Sequence, residues 1–191
     1  MQRLKPLKVP WQVSPSTPYL KLVSHELSGE FPTQVIFVAN FGLRLTGVQK
    51  TDLSLTRVFQ ASDPHLHSLK ADNDSATSLV RMDFRGGMWA RITPAFSDRE
   101  VLNPRAFDVS LIPYSNPSND VGVWLQDFQS FWLKSGSCPD PGVYTVESSE
   151  WIESLDLTGF EHYVIQGHDA FIEVLAKDWK WDEIQKLPES W

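Results

Sequence analysis

The sequence predicts an α+β protein made mainly of antiparallel β-sheet, barrel-like or curved, with a few short helices mostly in the C-terminal third. Three observations carry this. Short segments of alternating hydrophobicity recur from residue 19 onward. Turn-forming residues separate them. Apolar spacing of three and four residues is confined to positions beyond 118.

The opening residues are set apart by Pro6, Pro10, Pro15 and Pro18, each of which fixes φ and removes a ladder donor. Residues 1–18 therefore read as an extended, proline-rich N-terminal arm, and residues 19–191 as a single α+β domain. Strand candidates follow at 19–23, 34–39 and 41–45. Leu53, Leu55 and Arg57 alternate with Ser54 and Thr56 as a further half-buried strand, and residues 61–77 form a polar loop.

Residues 79–93 read as a hairpin turning at Arg85-Gly86-Gly87, because a three-residue loop needs a glycine in the left-handed region. That register puts Val80, Met82, Phe84, Met88, Ala90 and Ile92 on one face. Arg81, Asp83, Trp89 and Arg91 occupy the other. Residues 107–112 form another strand. A second hairpin spans 161–175 and turns at Gly167-His168, which sets His162 directly opposite Glu173. Tyr163, Ile165, Ala170, Ile172 and Val174 share its apolar face.

Ser118, Asn119 and Asp120 offer caps for a helix carrying Val121, Trp124, Leu125, Phe128, Phe131 and Trp132, with Gly136 as its stop. Ser149 caps a second short helix bearing Trp151, Ile152 and Leu155. A third is expected over 178–187, ending before Pro188.

Composition narrows the function. Of 191 residues, 41% are hydrophobic and 21% charged, which is ordinary globular usage and excludes chain-wide disorder. One cysteine, Cys138, excludes an internal disulfide and a cysteine-based metal cluster, and fits a cytoplasmic protein. The prolines interrupt any secretory leader, and the longest apolar run, 35–39, is far too short for a membrane span. A net charge of −7 argues against nucleic acid as a partner.

Candidate chemistry is sparse, and no cofactor or metal is expected. His65 and His67, with Asp63 nearby, share a metal-ligand spacing but read as solvated loop residues. Asp72 and Asp74 lack the glycine and closing glutamate of a calcium loop. Cys138 has Asp140 beside it, which disfavours a thiolate, and reads as a turn residue. Glu150 and Glu153 read as acids in the first turn of a helix. The ligand-binding candidates are therefore Arg81, Asp83, Trp89 and Arg91, which could hold an anion, and His162 with Glu173, which form half of an acid–base pair.

The last third is lopsided. Residues 121–191 hold six of the eight tryptophans and 13 acidic against 4 basic residues. Trp179, Trp181 and Trp191 are candidate interface anchors. The leading expectation is a non-enzymatic binding or assembly module that uses this acidic, tryptophan-rich region on a protein partner or another copy of itself. The alternative is a small β-rich ligand carrier or enzyme with a pocket formed around His162 and Glu173, or Arg81 and Arg91.

Overall fold

The computed structural model describes residues 1–24, 30–42, 77–114 and 120–188. The strand expected at 53–57, most of the loop at 61–77, His65, His67, Asp63, Asp72, Asp74, Ser118, Asn119 and Trp191 lie outside these residues, as does the end of the strand expected at 41–45. In chain order the elements are β1 (Gln2–Pro6), β2 (Gln12–Val13), β3 (Leu20–Ser24), β4 (Thr33–Asn40), β5 (Thr77–Arg85), β6 (Trp89–Pro94), β7 (Phe107–Asp108) and α1 (Val121–Ser135). Then come β8 (Val143–Glu147), α2 (Glu150–Ser154), β9 (Glu161–Gln166), β10 (Ala170–Ala176) and β11 (Asp178–Lys186).

Two open sheets form. The six-stranded sheet runs β6-β10-β9-β8-β1-β7, and the five-stranded sheet runs β11-β5-β4-β2, with β3 also pairing β4. All described pairings are antiparallel except β1 with β7. Among the described residues neither sheet closes on itself, so the fold they form is α+β with packed, open sheets.

The main core lies between the sheets. Val35, Phe37, Val80, Met82 and Phe84 of the smaller sheet meet Tyr163, Ile165, Ile172 and Val174 of the larger. Phe84 and Tyr163 touch with ring centroids 5.3 Å apart. The outer face of the larger sheet carries a second cluster around Leu4, Tyr144, Val164 and Phe171, covered by Leu102 and Ile112. This explains why β9 and β10 are buried on both faces.

The proline-rich opening is extended, and it is woven into both sheets. β1 sits between β8 and β7, β2 pairs with β4, and Leu4, Val9, Trp11 and Val13 are buried. Trp11 is closed off by Phe37 and by the edge of Trp181.

Two of the three helices expected beyond residue 118 form. Asp120 caps α1 by accepting from the Gly122 and Val123 amides, and Gly136 ends it in the left-handed region at φ 68°. Ser149 caps α2 by accepting from the Ile152 amide. Among the described residues no helix is long and apolar enough to cross a membrane.

Four expectations are corrected. β5 and β6 are strands but not partners: β5 pairs with β4 and β11, while β6 pairs with β10. Gly86-Gly87 is thus a corner between sheets, and Met88 and Ile92 are left exposed. A Cβ on Gly87 would stand 2.9 Å from Phe84 Cβ and 3.2 Å from Val174 Cγ1, so only glycine fits where the chain crosses the core.

The second hairpin turns at His168-Asp169, one residue later than expected, with the Gly167 amide donating to the Ala170 carbonyl. His162 consequently faces Leu175, and Glu173 is its diagonal neighbour on the same side. The strand at 107–112 stops at Asp108 and gives way to turns. Residues 178–186 form a strand, not a helix. Trp179 and Trp181 alternate inward while Asp178 and Asp182 face Arg85 and Arg81 across β5, a pairing no helix provides.

Candidate functional site

The polar groups expected to bind a ligand fall into two places. Arg81 and Asp83 lie on β5 of the smaller sheet; Trp89 and Arg91 lie on β6 of the larger. Arg81 Nε stands 3.3 Å from the buried Asp83 carboxylate, and its Nη2 donates to Asp182 at 2.9 Å. Trp89 meets Phe160 edge-on at 5.5 Å.

Around Arg91 a continuous polar chain forms. Arg91 grips Glu173 with two hydrogen bonds, Nε to Oε2 at 2.6 Å and Nη2 to Oε1 at 2.8 Å, the paired geometry that suits a guanidinium and a carboxylate. His162 Nε2 lies 3.3 Å from Glu173 Oε1, close to the carboxylate but off the axis of a hydrogen bond. On the other side, His162 Nδ1 stands 2.9 Å from Ser149 Oγ. Ser149 Oγ accepts the Ile152 amide and keeps a second lone pair and its own proton, so toward Nδ1 it donates or accepts according to the tautomer of the ring.

Trp151 covers this chain. Its indole meets His162 edge-on at 5.6 Å, and the Arg91 guanidinium stacks 4.2 Å above its ring. Burial pushes the Glu173 carboxyl upward, but contact with His162 and Arg91 outweighs it and leaves the group below the ordinary carboxylate range. The same carboxylate raises Arg91. Chemically, the row Ser149–His162–Glu173 can pass a proton from hydroxyl to imidazole.

The sequence pointed to Arg91, His162 and Glu173 but missed Ser149, whose capping role hid its second contact. Only the fold shows the second contact: Ser149 sits at the strand-to-helix turn beside Ser148, which adopts a left-handed φ of 58°.

Trp179 and Trp181 pack against the main core, half-buried, with Trp181 touching both Trp11 and Phe41. The acids of the same strand meet arginines of β5: Asp178 with Arg85 at 3.1 Å and Asp182 with Arg81 at 2.9 Å. With Glu173 on Arg91, three acids of the lopsided last third are therefore matched inside the molecule.

An apolar cleft of about 570 Å³ opens elsewhere, and sequence reasoning did not anticipate it. Pro6 and Leu7 at the end of β1 form one wall, Leu111 and Pro113 a second, and Phe131 with Pro139 a third. Its scaffold is well tied. Leu7 N donates to the Val143 carbonyl, Cys138 N to the Val9 carbonyl, and the Trp132 indole to the Pro10 carbonyl. Because Phe128 and Trp132 turn inward, Phe131 stands to the side and stays 41% exposed within the cleft. The hint in the sequence was an apolar residue too many for one helix face.

Cys138 lines the same cleft, and burial holds its thiol far above the ordinary range, so it is an uncharged wall and no nucleophile. Among the described residues no three His, Cys, Asp or Glu side chains are grouped to hold a metal ion. The chain matches no known protein family, no characterised protein and no solved structure.

Proposed function

We propose that the chain is a cytoplasmic binding module, without nucleic acid as a partner, that takes an apolar ligand in the cleft between the end of β1, the 111–113 turn and the last turns of α1. One observation carries this reading: Leu111 and Phe131 stay exposed at 40% and 41% and both line a cleft whose volume suits a small molecule. The acidic C-terminal strand is the weaker candidate for the contact, because its tryptophans and two of its acids already have partners within the chain.

A ligand held only by the folded state raises the unfolding midpoint by RT ln(1 + [L]/Kd). A thermal-shift screen of alkyl and aromatic ligands is expected to find such shifts, and Phe131→Glu is expected to remove them while leaving the unliganded midpoint within a few degrees. No shift with any apolar ligand, or shifts that survive Phe131→Glu, would sink the reading.

A second reading rests on the Ser149–His162–Glu173 row beside a cleft of about 350 Å³ that Ser149 lines. Ser149 Oγ would attack an ester carbonyl while His162 Nδ1 takes its proton and Glu173 balances the imidazolium; the ester C–O bond would then break, and His162 would return the proton to the departing alcohol, leaving an acyl-serine for water to hydrolyse. It ranks second because the hydroxyl is occupied as a helix cap and is 5% exposed. Labelling by a fluorophosphonate probe separates the two. Adduct formation on Ser149 that disappears in His162→Asn supports acyl transfer, and absence of label removes it.

A further inference from the structure

The proposed cleft has apolar walls, but its charges are not balanced. Lys5 and Lys8 line it, and neither makes an ion pair among the described residues. Among the described residues the one carboxylate on the cleft, Glu147, lies 3.8 Å from Arg3 Nη1, so it is already shared with a cation outside the site. Two lysines against one acid leave a net of +1 beside Leu111, Pro113 and Phe131.

An uncharged apolar ligand would leave that charge unanswered, and a cationic one would be repelled. A monoanion answers it, since a lysine ammonium attracts a carboxylate as a point charge without demanding a fixed fork geometry.

We infer that the ligand is a free amphiphilic carboxylate, its apolar body against Leu111, Pro113 and Phe131 and its head group at Lys5 and Lys8. This rests on the cleft being the binding site, and it adds the chemical class of the ligand. The ladder fixes the backbone of Lys5 opposite Thr145 of β8, while its exposed side chain keeps the freedom to reach a head group. The charge contact sits partly in solvent, and its contribution falls as salt rises.

The test is calorimetric titration of the full chain with decanoate, decanol and decylamine, each below its aggregation limit, with Lys5→Glu/Lys8→Glu and Phe131→Glu variants alongside. The expected result is decanoate at least tenfold tighter than decanol, decylamine weakest, and a decanoate preference that shrinks in high salt. The double charge reversal should abolish that preference while decanol binding persists, and Phe131→Glu should weaken both. Equal affinity for decanoate and decanol would overturn the inference and leave the cleft reading standing. No binding of any of the three would overturn both. Binding to anionic phosphatidylglycerol vesicles without binding to decanoate would overturn it in favour of a membrane surface.

Discussion

At Glu173 two opposed effects meet: burial disfavours its charge, and the His162 and Arg91 contacts favour it more strongly. The folded carboxyl therefore gives up its proton more readily than the unfolded one. Its contribution to stability is complete above the ordinary carboxylate range and is lost as pH falls through that range toward the lower folded value. Glu173→Gln keeps the shape and one carbonyl acceptor but removes the charge and turns the second oxygen into a donor, so Arg91 loses one of its two hydrogen bonds and both lose their charged character. The expected cost is about 1.5–3 kcal/mol at neutral pH, the usual size of a hydrogen bond to a charged group. Urea unfolding across a pH series should show the gap between parent and variant closing on acidification. A gap that stays constant with pH would mean that the charge of Glu173 contributes nothing.

Among the elements, the β5–β6 corner is the most demanding. Gly86 needs only a left-handed φ of 66°, and its nearest neighbour across an added Cβ is Lys177 Cγ at an ordinary 3.7 Å. Gly87 needs the space itself. Gly86→Asn is expected to be nearly neutral, since asparagine tolerates the left-handed region. Gly87→Ala should cost about 1–3 kcal/mol, as overpacked cores do. Denaturant midpoints of the two variants check the order, and a reversed order would contradict the corner.

The same corner shows what the sequence could not reveal. The side on which each residue of β5, β9 and β10 lies was legible, because side-chain alternation is local. Which strand each one pairs with was not, because a Gly-Gly step serves a hairpin and a sheet-to-sheet corner equally. The His162–Glu173 contact could be read despite a shifted turn, since a shift that preserves parity keeps both residues on one face. β11 was misread because Trp179, Trp181 and Ile184 fit neither period cleanly. The apolar cleft joins β1, the 111–113 turn and α1, and proximity across such separations leaves no local trace.

Across the whole molecule, the first residues behave as core. Leu4, Val9, Trp11 and Val13 are each at most 4% exposed. Burial of such side chains stabilises by roughly 1.5–3 kcal/mol apiece, or on the order of 6–12 kcal/mol together. That is comparable to the entire stability of a typical domain. Deleting residues 1–13 is therefore expected to unfold the protein, not to trim an arm. Loss of the cooperative thermal transition, with tryptophan emission shifted to the red, would be the signature. A folded truncation would contradict the role of β1.

That placement also governs the order in which the chain can be completed. β1 hydrogen-bonds along one edge to β8, with Arg3 opposite Glu147, and along the other to β7, with Gln2 opposite Phe107. On a ribosome the first strand leaves the exit tunnel long before either neighbour has been made. It must wait, unpaired and carrying Leu4, until synthesis has passed β8 at Val143–Glu147. The larger sheet is then completed by β1 between β8 and β7, so a strand made early is among the last to find its place.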